Sequence, residues 1–383
     1  MSKMKKYHRI IPVLVIFSLL SGILISCSPS ESMATEASVD IEEIIVMTEE
    51  SEGTSEPEET QETEVVEEPE LIEPDDEMVL SMYVAYGGPD IIAEEFEKAT
   101  GIKVEYLTMS SGEVITRLMA EKANPQTDIW FGGGSDAFIQ AVDEGLLEAY
   151  KSPYLENVDP AFRDEDGFWT GISLVVVGFL GNTERLADKG LELPLTWADL
   201  ANSAYLNELM ASNPNTSGTA YTMVSGILQM LGEDEGWAFL DEMYANIPYL
   251  EKSGSAPGKA ALAGEYSLGI VPDPHNLPLN NPNAPLVSVF PEDGVLAWPS
   301  PVAIVKGGKH PNNAKIFIDW CLSPEGQKVL MVASPRVPTT DVETIEGVPS
   351  LDDLNLIAYD AIYWGTERER VLEEFNQRYP QFR

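Results

Sequence analysis

The sequence predicts an α/β protein of two lobes, built on parallel-rich sheets joined by two crossings and preceded by an N-terminal signal and an acidic linker. Three observations carry this. Short apolar runs alternate with helix-spaced apolar patterns from Val79 onward, the mark of a strand–helix sheet. One apolar run, Trp169 to Phe179, is longer than a strand inside a single small sheet needs, and suits a strand that leaves one lobe and enters another. At 383 residues the chain exceeds one compact core. The expected segments are 1–26 signal, 27–78 tether, 79–175 first part of lobe 1, 176–298 lobe 2, and 299–383 the return to lobe 1.

Lys3, Lys5, Lys6 and Arg9 precede an apolar run from Ile10 to Ile25 that ends in Leu24-Ile25-Ser26-Cys27. A basic start and an apolar core closing on small residues make a secretory signal, and the run is short for a membrane span. Its ending resembles a bacterial lipobox, which would make Cys27 the lipidated first residue of the mature chain. An uncleaved anchor and a plain secreted chain are the alternatives, and each leaves the body outside the cytoplasm. Cys321 is the other cysteine and lies in an apolar helical pattern, so it reads as core.

Residues 28–78 hold twenty Asp or Glu and no Lys or Arg, a composition that repels itself and builds no core; a solvated tether is expected. From Val79 onward acids still exceed bases by 25. That excess excludes a phosphate-backbone partner such as nucleic acid. It also means that a small anion must be held by local N–H groups and hydroxyls against the overall field.

In order, strands are expected at Val79–Tyr86, Lys103–Leu107 and Asp128–Phe131, each followed by a helix, as a parallel sheet with its loops gathered on one edge. After the long apolar run come helices at Trp197–Leu206, Gly218–Leu231 and Gly236–Tyr244. Strands follow near Tyr249, at Leu268–Val271 and at Leu286–Phe290. A returning strand at Pro301–Val305 leads to helices at Asn312–Leu322, Pro324–Val332 and Tyr359–Phe375.

Four helix starts are rich in Ser and Gly: Ser110-Ser111-Gly112-Glu113, where Ser110 and Glu113 form a capping box; Gly132-Gly133-Gly134-Ser135; Ser217-Gly218-Thr219 leading to Tyr221; and Ser253-Gly254-Ser255 before Pro257. An ordinary N-cap explains any one of them. Four along one chain suggest a shared polar cleft, because free N–H groups, hydroxyls and the helix dipole together hold an anion without lysine or arginine. The candidate ligand residues are Tyr86, Gly87, Ser110, Ser111, Gly112, Gly133, Gly134, Ser135, Ser217, Gly218, Thr219, Tyr221, Ser253 and Ser255, with Asp273 and His275 added below. Tyr86, Trp130 or Tyr221 would flank the body of the ligand; Trp130 serves equally as core.

Several pieces resemble the type II solute-binding proteins of ABC importers, in the ferric-ion, 2-aminoethylphosphonate and hexose-phosphate branch. They are Ser111-Gly-Glu113, Met119 through Asp128, Ile129-Trp-Phe-Gly-Gly133, Gly178 through Thr183, Ser217-Gly-Thr-Ala-Tyr221, Lys252 through Pro257 and Phe317 through Gln327. The resemblance implies a hinged, periplasmic-binding-protein-like receptor, monomeric, that closes on its solute and docks on a permease powered by a cytoplasmic ATPase. It implies hinges near Val175 to Val177 and near Trp298 to Pro301. It also implies that Ser217, Gly218 and Thr219 hold a phosphate, opposed by Ser111, Gly133, Gly134 and Ser135.

Ferric iron is the alternative solute, disfavoured because family members that bind it resemble one another in an adjacent tyrosine pair that this chain lacks. His310, in a Lys-His-Pro-Asn turn, reads as surface. Where sugar-phosphate binders share a His-Asp pair, this chain has Pro272-Asp273-Pro274-His275, so Asp273 and His275 either contact a ligand amine or hydroxyl or form a plain turn. An extracytoplasmic enzyme is a weaker alternative: the segment Gly254 to Ala260 is one residue short of a P-loop and has Ala where magnesium needs Ser or Thr. No catalytic residue, metal or cofactor is expected.

Overall fold

A computed structural model describes residues 72–331, 334–336, 342 and 345–382. The expected signal, Cys27 and the tether as far as residue 71 lie outside them.

The chain enters with strand β1 (Val79–Val84), and Gly88 in the left-handed region, followed by Pro89, starts α1 (Pro89–Thr100). Next come β2 (Lys103–Thr108), α2 (Ser111–Glu121), β3 (Ile129–Phe131), α3 (Ser135–Asp143) and the short β4 (Leu147–Glu148). Strand β5 (Thr170–Asn182) is buried along its whole length, and Asn182 accepts from the Arg185 amide at 2.9 Å to cap α4 (Thr183–Lys189). The second lobe continues through β6 (Leu209–Ser212), α5 (Gly218–Leu231), α6 (Glu233–Ala245), β7 (Leu250–Glu251), α7 (Ala256–Leu262), β8 (Leu268–Pro272), α8 (Asn276–Asn280) and β9 (Leu286–Val289). Strand β10 (Ala297–Val305) returns, followed by α9 (Pro311–Leu322), α10 (Pro324–Leu330), α11 (Ala361–Thr366) and α12 (Arg368–Arg378).

The strands form one curled sheet in the order β2-β1-β3-β10-β5-β8-β6-β7, with β4 beside β10 and β9 beside β5. Pairing is parallel within β2-β1-β3 and within β8-β6-β7, as strand–helix alternation requires. Where the chain passes between lobes it is antiparallel. Residues Thr170 to Val176 of β5 pair with β10, and Val177 to Gly181 pair with β8. The long apolar run therefore serves two half-sheets in turn, which is why it has no polar face.

Two differences from the sequence reading have local causes. Residues 197–206 form two 3-10 turns, Ala198–Ala201 and Ser203–Tyr205, in place of a helix, because the Asn202 side chain accepts from the Ala204 amide and restarts the chain there. Strand β6, too short for its apolar pattern to stand out, is buried at every residue and lies at the centre of the second parallel group.

The acidic tract also ends differently from expectation. Asp75 accepts from the amides of Asn312 (2.9 Å) and Asn313 (3.0 Å) at the start of α9, and the Asn313 side chain donates back to the carbonyls of Glu77 and Val79. Residues 75–79 are thus bonded to the first lobe, with a carboxylate placed on a helix N-terminus.

The core of the first lobe covers both sheet faces, with Phe96, Phe131, Phe317 and the fully buried Cys321 on one and Trp130 and Phe138 on the other. The second-lobe core gathers Phe179, Trp197, Tyr221, Trp237 and Tyr244, and to these the C-terminal segment adds Trp364, Val371, Phe375 and Tyr379. Each such side chain contributes roughly 1.5–3 kcal/mol on burial. Arg368 of α12 also donates to Asp136 of α3 at 2.7 Å. Residues 361–382 therefore bridge the lobes, whereas the sequence reading gave 299–383 wholly to the first.

Candidate functional site

Helices α2 and α3 of the first lobe and α5 of the second begin at one place. Ser110 caps α2, its amide (3.1 Å) and hydroxyl (2.7 Å) both donating to Glu113. After β3 the chain turns through Gly132 (φ 79°) and Gly133 (φ 114°), a left-handed path that favours glycine, and reaches Gly134 at the start of α3. The Gly134 amide donates to the Ser111 hydroxyl at 3.3 Å, and the Gly133 amide to Ser300 of β10 at 3.1 Å. Ser217 caps α5 by accepting from the Ala220 amide at 3.3 Å. The amides of Gly218 and Thr219 stand in the first turn of α5, where a helix offers no internal acceptor.

These starts open on a cavity of about 710 Å³ between the lobes. Of the residues singled out in the sequence, Tyr86, Gly87, Ser110, Ser111, Gly133 and Gly134 line it from the first lobe. Ser217, Gly218, Thr219, Ser253, Ser255 and Asp273 line it from the second. The Ser253-Gly254-Ser255 turn joins the α5 start closely: a Cβ on Gly254 would lie 2.6 Å from the Thr219 hydroxyl and 3.0 Å from that of Ser217.

The remaining candidates sit elsewhere. Gly112 faces the other lobe, its amide donating to the Thr216 carbonyl at 3.0 Å, so it is a contact between lobes and not part of the cavity wall. Ser135 is buried under the turn. Tyr221 is fully buried, its hydroxyl donating to the Trp364 carbonyl beneath the Arg368 guanidinium. Trp130 is core, stacked on Phe138 at 3.9 Å. His275 packs on Phe290 outside the cavity lining; burial first, and the Arg336 charge second, hold its pKa below the ordinary value.

Asp273 reaches the cavity but is heavily engaged. It adopts φ 44°, donates its amide to the Val176 carbonyl at 2.7 Å, and accepts at Oδ1 from Arg336 (3.0 Å) and at Oδ2 from Ser334 (3.1 Å). Burial pushes its carboxyl up against the pull of Arg336. Val176 is where β5 changes partner, so Asp273 ties the cavity floor to the crossing strand.

Two lysines that the helix-start pattern does not point to, Lys252 and Lys259, line the cavity from the second lobe. Lys252 donates to Glu113 across the cleft at 2.8 Å, and this hydrogen bond, with those from Ser110, holds the Glu113 carboxyl down at about 2. Trp298 and Ser300 of β10 also line it. A serine inside the apolar run of β10 was the available signal for that strand. The lysines were obscured by the acidity of the chain as a whole.

A family model described as bacterial extracellular solute-binding protein matches residues 124–363. The chain belongs to that family. Its members are substrate-binding components of ABC importers. An uncharacterized protein of Haemophilus influenzae is 36% identical over 74% of this chain and 86% of its own length. The structure of the periplasmic binding protein AfuA from Actinobacillus pleuropneumoniae, with exogenous fructose-6-phosphate bound, is similar at 32% identity. Its TM-score is 0.75, covering 78% of this chain and 98% of that one. An Fe(3+)-binding periplasmic protein of Serratia marcescens is 28% identical over 61% of this chain and 70% of its own. As a solute-binding protein the chain has the two-lobed fold expected, with a cavity where the lobes meet.

Proposed function

We propose that this solute-binding protein is a lipid-anchored, monomeric receptor for an ABC permease, and that its solute carries a phosphate or phosphonate group. An organophosphonate such as 2-aminoethylphosphonate, or a sugar or organic phosphate, is the class. The observation that carries this reading is the convergence of the α2, α3 and α5 starts on one cavity, with the Ser111, Ser217 and Thr219 hydroxyls beside the Gly218 and Thr219 amides. Such a cradle offers donors at fixed positions to a tetrahedral oxyanion.

The sugar phosphate named for the Actinobacillus protein supports the same class. Iron is the weaker reading on chemistry. Ferric ion requires hard anionic donors, while the Tyr86 hydroxyl donates to the Leu330 carbonyl, Glu113 is paired with Lys252, and Asp273 with Arg336. The receptor takes its solute from outside the cytoplasm and releases it unchanged, closing about β5 near Val175 to Val177 and β10 near Trp298 to Pro301, which act as hinges.

Thermal unfolding of the chain without its signal, with phosphorus compounds and ferric citrate each in excess, tests this. Ligand at a hundredfold over its dissociation constant stabilises the native state by about 2.7 kcal/mol. A raised midpoint with a phosphorus compound, lost in Ser217→Ala with Thr219→Ala, is expected; a rise with iron alone overturns the choice of solute. Fatty-acid labelling that disappears in Cys27→Ala checks the anchor.

A further inference from the structure

We infer that the solute carries two anionic groups, a phosphate or phosphonate at one end and a second one, of carboxylate type, read by Lys259. This rests on the phosphorus reading above and narrows it.

The charges lining the cavity are nearly all matched within the protein. Glu113 is paired with Lys252 at 2.8 Å and Asp273 with Arg336 at 3.0 Å. Lys259 also lines the cavity, is exposed, and has no ion pair or side-chain hydrogen bond among the described residues. It stands in a chain of net charge −41, where an exposed lysine usually finds an acid nearby. The turn of α7 that carries it is tightly packed. Gly258 fits so closely against α8 and β8 that a Cβ there would lie 2.8 Å from Leu277 and 3.0 Å from Val271. The next residue, Lys259, lines the cavity together with Leu277.

The cradle and Lys259 are also joined along the chain. The Ser253-Gly254-Ser255 turn lies against Ser217 and Thr219, and the Lys259 amide donates to the Ser255 carbonyl at 3.3 Å, one helical turn on. Four residues of helix rise ~6 Å. The α5 start and Lys259 line the same cavity, so one solute can present an anionic group to each. An ammonium at that end would face an uncompensated cation, with no free carboxylate among the described residues of the lining to receive it. The wall therefore selects an acid over an amine.

Isothermal titration with a matched pair of probes decides it: 3-phosphoglycerate, and glycerol 3-phosphate, which replaces the carboxylate by a hydroxymethyl group. The native protein is expected to prefer 3-phosphoglycerate by at least tenfold, and to bind 2-aminoethylphosphonate more weakly than either. Lys259→Met is expected to erase the preference by weakening 3-phosphoglycerate at least tenfold and glycerol 3-phosphate less than threefold, while Lys259→Arg restores most of it. Equal binding of the two probes to the native protein, or equal weakening of both by Lys259→Met, overturns the inference and leaves the phosphorus reading intact. Failure of all three compounds and of fructose 6-phosphate to bind overturns both.

Discussion

A Cβ placed on Gly218 would lie 2.6 Å from the backbone nitrogen of Gly134, so the first residue of α5 touches the residue that starts α3, backbone to backbone, across the lobes. Neither glycine lies in the left-handed region; a Cβ on Gly218 meets only the opposite lobe, whereas one on Gly134 would also lie 2.2 Å from the Asp136 carboxylate of its own helix. Gly218→Ala is therefore expected to leave the thermal midpoint unchanged or slightly raised, since alanine is the better helix former. It should weaken the phosphorus ligand at least tenfold by holding the lobes apart, with a larger radius of gyration in X-ray scattering. Unchanged affinity would mean that this contact is not needed for closure.

The Lys252–Glu113 pair also spans the lobes, but both side chains are well exposed, at 77% and 40%. Exposed pairs contribute about 0.2–1 kcal/mol, so Lys252→Gln should lower stability by no more than that, and salt near 1 M should remove the difference. Glu113 is held down at about 2, so the folded state favours its carboxylate. The stabilisation is present above the ordinary carboxylate range and is lost as pH falls toward 2. Denaturant titrations of native and variant protein should therefore converge in acid and separate near neutrality.

The parts of this molecule legible in the sequence were those set by local pattern. The capping box at Ser110 and Glu113, the α5 start at Gly218 and the first three strands all follow from neighbours within a few residues. What stayed hidden depends on partners far along the chain. Tyr221 reads as a ligand contact beside Ser217, yet its hydroxyl is taken by the carbonyl of Trp364. Asp273 reads as a ligand contact or a plain turn, and Arg336, its buried ion-pair partner, lies 63 positions on. Gly112 belongs to the right segment but faces the Thr216 carbonyl of the other lobe.

The Asp273–Arg336 pair differs from the surface pairs because both side chains are only 3% exposed. Removing one partner of a buried pair strands the other charge, at about 3–5 kcal/mol, so Arg336→Met is expected to destabilise by that order in urea, and Arg336→Met with Asp273→Asn by less. Burial already pushes the Asp273 carboxyl up with Arg336 opposing, so loss of the guanidinium raises it further. A carboxyl whose folded pKa is raised favours the folded state below its unfolded pKa and loses that advantage as pH rises through the folded one. The single variant should then be least impaired near pH 4 and most impaired near neutrality. A pH-independent deficit would show that packing, and not charge, is what Arg336 supplies.

His310 was expected on the surface, and its ring is instead 12% exposed and bonded to Asp128 at 2.9 Å, with the Asp128 carboxylate also accepting from the His310 amide (2.9 Å) and from Ser81 (2.8 Å). Burial lowers the imidazole pKa, but Asp128 and then Glu77 outweigh it, so the net shift is upward. Burial likewise opposes ionisation of Asp128, and the hydrogen bonds from His310 and Ser81 reverse it, so that carboxyl is lowered. The two shifts have opposite consequences with pH. The His310 contribution is complete below the ordinary histidine value and is lost as pH rises through the raised one, whereas the Asp128 contribution is complete above the ordinary aspartate value and is lost as pH falls through the lowered one. The pair therefore stabilises most between about pH 4.5 and 6.5. His310→Asn keeps a donor near Asp128 and removes the charge, so the native protein should exceed this variant in thermal midpoint at pH 6 by more than at pH 8.5. A gap that is the same at both values would mean that the imidazole acts only as a neutral donor.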